Sequence, residues 1–183
     1  MSEHRVASRY AKSLLDLAKE QNIVDAVVAD IRTLAAVLKE NRNLESVLKS
    51  PIITGERKLT VLTKIFEGSF QKITIVFFDV VIRKKRERYL PAMIKAFIEQ
   101  YNELNNIAEA TVKTATPVSN EILAEIKGHI EKQTGKTINL TATTDASLIG
   151  GLVVQVGDRL FDASVSGKLN KIKNDLLNSY ISK

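Results

Sequence analysis

The spacing of apolar residues changes once along this chain, near residue 108. Before that point apolar residues recur at helical intervals, and helix-breaking residues are few, namely Pro51, Gly55, Gly68 and Pro91. Beyond it the run Ala110–Thr116 alternates and is rich in β-branched residues. The first spacing is typical of amphipathic helices and the second of half-buried strands. The sequence therefore predicts two domains, an all-α domain over residues 1–107 and a small mixed α/β domain over residues 108–183.

Six apolar stripes divide the first domain into predicted helices. The first covers Glu3 to about Gln21, and the second follows so closely that the two helices are expected to pack antiparallel. A short third helix stops before Ser50-Pro51, because the residue before a proline is steered away from helical angles. Thr54 is the expected N-cap of the fourth helix, and the sixth lies over Leu90–Tyr101. These stripes predict a six-helix bundle.

The fifth stripe, Ile73–Ile82, is apolar nearly all round. A membrane span needs about 20 such residues, whereas this run has ten, contains Asp79 and is followed by a cluster of cations. We interpret it as the central helix of the bundle, covered by its neighbours. Its β-branched residues also permit a buried strand, so both interpretations stay open at this point.

The second domain shows strand, turn and cap signals in sequence. Ser119 can cap a helix that follows Pro117, and Gly135 can end it. Further strands are predicted at Ile138–Thr143, Leu152–Val156 and Leu160-Phe161. Gly157-Asp158 has the chemistry of a hairpin turn between the last two. The stripe from Leu169 to Tyr180 predicts a C-terminal amphipathic helix.

The net charge of +6 is concentrated in the first domain, which holds 18 basic and 13 acidic residues, whereas the second holds 9 and 8. Much of the excess is one cluster, Arg83, Lys84, Lys85, Arg86 and Arg88. Such a cluster can contact phosphate or anionic lipid. The simpler interpretation is a solvated helix end, where cations meet the negative end of the helix dipole. A nucleic-acid adaptor remains an alternative, although no nucleic-acid motif accompanies the cluster.

Few residues in this sequence are suited to catalysis or metal binding. There is no cysteine, which excludes disulfides, thiolate metal sites and cysteine nucleophiles. The two histidines, His4 and His129, are too few for a histidine metal site or a catalytic triad. Asp145, Asp158 and Asp162 stand beside glycine and serine, where turn and cap roles are typical. We therefore expect no catalytic residue, no cofactor and no metal.

Gly135-Lys136-Thr137 matches the end of a phosphate-binding P-loop. That loop needs another glycine at position 130, which is Ile130, and it runs from a strand to a helix. Gly135 is therefore interpreted as a helix C-cap. A phosphate-handling enzyme that depends on Lys136 is the second alternative.

The N-terminal segment shows no targeting signal. Met1–Arg5 has no apolar signal-peptide core, and acids follow that a transit peptide would avoid. The lack of cysteine favours a reducing, intracellular compartment. We expect a bacterial-type cytoplasmic protein.

The run Asp145–Leu169 has a specific order of Asp, apolar residues, Gly-Gly, apolar residues, Gly-Asp, Asp-x-Ser and Leu. It resembles the C-terminal signature of the delta subunit family of F-type ATP synthase, whose mitochondrial relative is the oligomycin-sensitivity-conferring protein. Val6–Ala18 resembles the opening helix of that family, and Arg86, ahead of Leu90-Pro91, matches as well. The chain length and the two predicted domains agree with the same family.

The resemblance implies a non-catalytic stator subunit at the periphery of the ATP synthase. Its helical domain would bind the N-terminal segments of alpha subunits, and its C-terminal part would bind the b subunits that extend to the membrane. Contacts with beta subunits are left open. No nucleic acid, no membrane span and no homo-oligomer are expected, and the implied location is the cytoplasmic face of the bacterial cell membrane.

The resemblance also implies which residues contact partners. The alpha-binding groove would lie between the first and fifth helices, at Ala7, Tyr10, Ala11, Leu14, Val76, Val80 and Ile82. Burial in the core is an equally good interpretation for each of them. The contact with b subunits is expected on the last helix, at Leu169, Ile172, Leu176 and Tyr180. The signature residues, expected to be structural, are Asp145, Gly150, Gly151, Gly157, Asp158, Asp162 and Ser164. The glycine pair is expected to allow a bulge or a close approach of strands.

Overall fold

The computed structural model describes residues 3–181 of the chain, with side chains up to Asn174. The chain divides into two compact units, Met1–Leu104 and Asn105–Lys183. Within the described residues the first unit is helical, and the second contains every strand together with two α-helices.

The helical unit has six α-helices and a short 3-10 turn, Glu87–Tyr89, in its described part. The helices are α1 (Glu3–Glu20), α2 (Val24–Glu40), α3 (Arg42–Lys49), α4 (Gly55–Phe66), α5 (Lys72–Arg83) and α6 (Leu90–Leu104). Helix α6 packs against α1 and α2, and α4 packs against α5. Thr54 occupies the N-cap position of α4, but its side chain makes no capping hydrogen bond.

One apolar core draws residues from all six helices. Its largest fully buried side chains include Leu15, Ile31, Leu34, Leu48, Leu62, Phe78, Leu90, Met93 and Phe97. Burying each such side chain contributes about 1.5–3 kcal/mol. Most of the residues that recur at helical spacing in the sequence therefore meet in one place.

The apolar run at residues 73–82 forms a helix and not a strand, but it is not covered on all sides. Thr74, Phe78 and Val81 face the core of the unit. Val76 and Val80 lie on another face and remain 51% and 42% exposed. The prediction of a fully covered central helix is therefore wrong, because no helix of the described chain packs over that face.

A buried carboxylate on α2 fixes the start of α5. Asp30 accepts hydrogen bonds from the backbone N–H of Gln71, at 2.7 Å, and from the Thr74 hydroxyl, at 2.8 Å. Gln71 is the N-cap residue of α5, so the negative charge lies at the positive end of that helix. The contact ties α2 to α5 and sets where α5 begins.

A buried lysine on α4 connects α4 to two other segments. Lys58 donates to the Leu48 carbonyl in the last turn of α3, at 2.9 Å, and pairs with Glu87 Oε1 at 2.8 Å. Its side chain is only 2% exposed. The other oxygen, Glu87 Oε2, has no hydrogen-bond partner within the described part of the chain. The positive charge of Lys58 therefore compensates for the burial of the Glu87 carboxylate.

The second unit is a four-stranded sheet with order β2-β1-β3-β4. The strands are β1 (Ile107–Thr114), β2 (Thr137–Thr144), β3 (Leu152–Val156) and β4 (Arg159–Asp162). Strand β1 pairs parallel with β2 and antiparallel with β3, and β4 pairs antiparallel with β3. The register places Val112 opposite Val154 and Ala110 opposite Leu140, so these residues share one face.

Helix α7 (Asn120–Thr134) connects the two parallel strands and covers that face of the sheet. Ile130 of α7 packs on Ala110, Val112 and Ile138. Ser119 caps the helix by accepting from the Ile122 backbone N–H, and Gly135 ends it with a φ of +66°. Both cap predictions are confirmed, and a P-loop at Gly135 is ruled out because the chain runs from helix to strand there. Helix α8 (Val165–Ile181) closes the described chain.

Candidate partner-binding site

An open apolar groove lies between α1 and α5. It has a volume of about 450 Å³, and its lining residues are Arg9, Tyr10, Ser13, Leu14, Leu17, Ile73, Val76, Phe77, Val80, Lys84 and Arg86. Tyr10 and Phe77 meet edge to face, with ring centroids 6.4 Å apart. Val76, Val80 and Leu17 are about half exposed, which leaves a continuous apolar strip without a covering element in the described chain.

The structure sorts the predicted groove residues into two groups. Tyr10, Leu14, Val76 and Val80 line the groove, although Leu14 is only 2% exposed and also belongs to the core. Three others do not: Ala7 and Ala11 are each 1% exposed and belong to the core, and Ile82 is buried beside Gly55. The reason is helical spacing, since Ala7 and Ala11 point to the side of α1 that faces the core rather than to the Tyr10 side.

Six apolar or basic lining residues were not among the predicted groove residues, namely Arg9, Leu17, Ile73, Phe77, Lys84 and Arg86. A usable signal existed for three of them. Leu17 continues the i, i+3, i+4, i+7 series from Tyr10 and Leu14, and Ile73 and Phe77 continue the Val76 and Val80 face of α5. Lys84 and Arg86 carry no such signal, because their positions depend on how α5 ends.

The basic cluster at the end of α5 is divided among several contacts. Arg83 pairs with Asp79 at 2.9 Å, and Arg88 lies over the Tyr89 ring at 4.6 Å. Lys84 and Arg86 line the groove. The interpretation as one solvated helix end is therefore too simple, since the chain turns back immediately after α5.

The signature residues build the junction between β3, β4 and α8. Gly151 has a φ of +76°, and a Cβ there would collide with the Ala163 carbonyl oxygen and lie 3.1 Å from the Ser164 Cα. Backbone bonds from Ala163 N to Leu152 O and from Val165 N to Gly150 O hold the two segments together. The glycine pair thus allows the expected close approach of two backbone segments.

Asp162 and Ser164 form the cap that starts α8. Asp162 Oδ1 accepts from the Ser164 hydroxyl at 2.6 Å and from its backbone N–H at 2.8 Å. These hydrogen bonds hold the pKa of Asp162 below its ordinary value. Ser164 Oγ in turn accepts from the Gly167 N–H, and a Cβ at Gly167 would lie 2.5 Å from the Asp162 carboxylate. Gly167 lies within the run Asp145–Leu169 but was not among the residues that were singled out there.

The remaining signature residues have local roles. Asp145 Oδ1 accepts from the hydroxyl and the N–H of Ser147, and these bonds lower the pKa of Asp145. Gly157 and Asp158 form the turn between β3 and β4, where Gly157 has a φ of +55°. Within the described residues no three metal-binding side chains come together.

Helix α8 presents an apolar row. Val165, Leu169 and Ile172 follow i, i+4, i+7 spacing and are 41%, 54% and 56% exposed. Of the other predicted contact residues, Leu176 and Tyr180 lie outside the part of the chain whose side chains are described. Across the described chain, no helix combines the length and hydropathy that crossing a membrane requires.

Comparisons with known proteins agree over nearly the whole chain. The sequence model of the ATP synthase delta (OSCP) subunit family matches residues 6–176. The ATP synthase subunit delta of Christiangramia forsetii is 37% identical over 180 residues, covering 98% of this chain and 97% of the relative. That of Cytophaga hutchinsonii is 36% identical over 174 residues and covers 95% of both chains.

A solved structure shows the same fold. One chain in the cryo-EM structure of the Toxoplasma gondii mitochondrial ATP synthase hexamer superposes with a TM-score of 0.73, at 24% identity, covering 93% of this chain and 97% of that one. The family match and the full-length relatives settle the assignment. This chain belongs to the ATP synthase delta (OSCP) subunit family, whose members are non-catalytic peripheral-stalk subunits of F-type ATP synthase.

Proposed function

We propose that this subunit joins the catalytic head to the membrane-anchored stalk by binding one partner with each unit, and so keeps the head from turning with the rotor. Such a role requires adhesion and stiffness, with no catalytic group. The observation that carries the proposal is the open α1/α5 groove, to which we assign the N-terminal segment of an alpha subunit. In this proposal the six helices act as one bundle, because a single core joins them.

The groove has the shape and chemistry for an amphipathic helix. Half-exposed valines stand one turn apart on α5, and the partly exposed Tyr10 and Leu17 stand about two turns apart on α1. A helix laid between these rows would contact both through residues at i, i+3, i+4 and i+7. The groove walls are themselves helices held by the core, so little ordering is needed on binding.

Val76→Asp tests the groove. A carboxylate in the apolar contact would be desolvated without a partner, so binding of a synthetic peptide that copies the alpha-subunit N-terminus is expected to weaken by more than about tenfold. Calorimetry with the full-length chain measures the Kd. Ile65→Asp, at a 48% exposed apolar position on α4, is the matched control and should leave the Kd unchanged. Equal Kd values for wild type and Val76→Asp would contradict the groove assignment.

We assign the b-subunit contact to α8. The row Val165, Leu169 and Ile172 has the spacing of one seam of a helix pair, and it has no covering element in the described chain. Binding to head and stalk together would place the subunit at the cytoplasmic face of the bacterial cell membrane, as a peripheral component. Contacts with beta subunits are not part of the proposal.

The double variant Leu169→Asp, Ile172→Asp is expected to weaken binding to the b-subunit segment outside the membrane by more than about tenfold, since two apolar contacts become charged. Asn170→Asp introduces a carboxylate beside the row and serves as control. Sedimentation of the mixed proteins measures the complex. If the double variant still forms it with wild-type affinity, α8 is not the contact.

A further inference from the structure

The α1/α5 groove carries charge at one end only. Three of its lining residues are cations, Arg9, Lys84 and Arg86, and none is a carboxylate. The Arg86 guanidinium lies 5.7 Å from the centroid of the Tyr10 ring, so the end of α5 stands beside Tyr10. At a rise of about 1.5 Å per residue, Leu17 lies about 10 Å from Tyr10 along α1, and Ile73 lies about 16 Å from Lys84 along α5. Leu17 and Ile73 are therefore distant from the cations. We call the Arg9, Lys84 and Arg86 region the cationic end.

The backbone at the end of α5 holds Arg86 in this position. Lys85 takes a left-handed conformation with a φ of +54°. Its N–H bonds to the Ile82 carbonyl at 2.8 Å, and the Arg86 N–H bonds to the Val81 carbonyl at 3.0 Å. This pair of bonds is the Schellman arrangement that terminates helices. It turns the chain back so that Arg86 returns over Tyr10.

The cationic end has no internal counter-charge in the described part of the chain. Arg83, one residue before Lys84, is neutralised by Asp79. No ion pair involves Arg9, Lys84 or Arg86 among the described residues. Three like charges beside an apolar groove repel one another and favour an incoming anion. Arg86 is also half-buried, so a carboxylate beside it is screened less than one in bulk water.

We propose that the groove selects an amphipathic helix with carboxylates at one end, which pair with Arg9, Lys84 and Arg86 and fix the direction in which the helix lies. This inference rests on the proposed function of the groove. The apolar strip supplies affinity that is indifferent to direction, because valine and leucine contacts work either way round. The cationic end breaks that symmetry, since a reversed helix would leave its carboxylates over Leu17 and Ile73 and the cations unpaired.

The occupant is a helix rather than nucleic acid or an anionic membrane. More than half of the lining residues are apolar, and the cations are confined to one end. Arg86 lies over the face of the Tyr10 ring on which a base would stack. A polyanion would use the cations alone and would leave the apolar strip around Val76 without a contact.

The test uses the full-length chain and two synthetic peptides. One copies the alpha-subunit N-terminal segment, and in the other every Asp and Glu is replaced by Asn and Gln. The carboxylate-free peptide is expected to bind wild type at least about tenfold more weakly. Arg86→Glu should weaken binding of the natural peptide by a similar factor. Arg83→Glu, whose arginine already pairs with Asp79, is the matched control and should change the Kd less than about twofold.

A charge-reversed peptide, with Lys in place of the carboxylates, should bind Arg86→Glu more tightly than it binds wild type. Such rescue requires direct pairing and would not follow from a loss of folding. Equal binding of the natural and carboxylate-free peptides to wild type would overturn this inference while leaving the groove assignment in place. Failure of both peptides to bind wild type would overturn the groove assignment and the inference together.

Discussion

Gly151→Ala is expected to lower the free energy of unfolding of the α/β unit by about 3 kcal/mol. A left-handed backbone costs a residue with a Cβ about 1–2 kcal/mol, and overpacking adds about 1–3 kcal/mol. The added methyl would meet the Ala163 carbonyl oxygen and the Ser164 Cα, which are backbone atoms. They cannot easily move, because Ala163 N and Val165 N are bonded to Leu152 and Gly150.

The measurement is amide hydrogen exchange in β1 and β3, which reports the second unit separately from the helices. Gly128→Ala is the control. Gly128 lies inside α7, and a Cβ there would meet nothing within 4 Å, so the substitution should stabilise α7 by about 0.5–1 kcal/mol. Protection of β3 in Gly151→Ala equal to that of wild type would contradict the claim that the two backbone segments leave no room for a Cβ at Gly151.

Lys58→Met is expected to destabilise the helical unit by about 3–5 kcal/mol. Methionine nearly preserves the volume, so the loss is electrostatic: Glu87 stays buried with neither oxygen paired, and the Leu48 carbonyl loses its donor. Removing one partner of a buried ion pair has a cost of this size. We expect α3, α4 and the 3-10 turn to lose stability together, since Lys58 connects all three.

Urea unfolding monitored by circular dichroism at the helix band measures this change. The matched control is Lys49→Met, which breaks a 2.6 Å pair with Glu45 that is exposed on both sides. Exposed pairs four residues apart contribute about 0.3–0.5 kcal/mol. If Lys58→Met and Lys49→Met shift the midpoint by similar amounts, the Lys58–Glu87 pair does not hold the turn after α5.

The sequence predicted the ends of helices well where a single residue type determines the backbone conformation or the cap. Ser119 and Gly135 bound α7 as expected, because a hydroxyl N-cap and a left-handed glycine act within one turn of the chain. The sequence predicts a helix at residues 73–82, which the structure confirms, although the composition of that run also permits a strand. Where this helix starts is set by Asp30, which lies about 40 residues earlier in the chain and accepts from the N–H of the N-cap residue Gln71.

The site was only partly predictable for a related reason. In a stretch that is apolar nearly all round, spacing cannot show which face is covered, and only the packing of the other helices leaves Val76 and Val80 exposed. On α1 the periodicity is clear, yet it cannot decide whether Ala7 or Tyr10 meets the core. Arg86 reaches Tyr10 because Lys85 takes a left-handed backbone conformation. That conformation is usually marked in a sequence by glycine, and here the residue is lysine.

By itself the sequence determined the family, the change from helices to strands near residue 108, and the absence of cysteine chemistry, because these depend on residue order and type alone. Only the tertiary structure decided which apolar residues form the groove, and that three cations meet at one end of it. Both are properties of how separate helices pack, and packing depends on contacts between residues far apart in the chain.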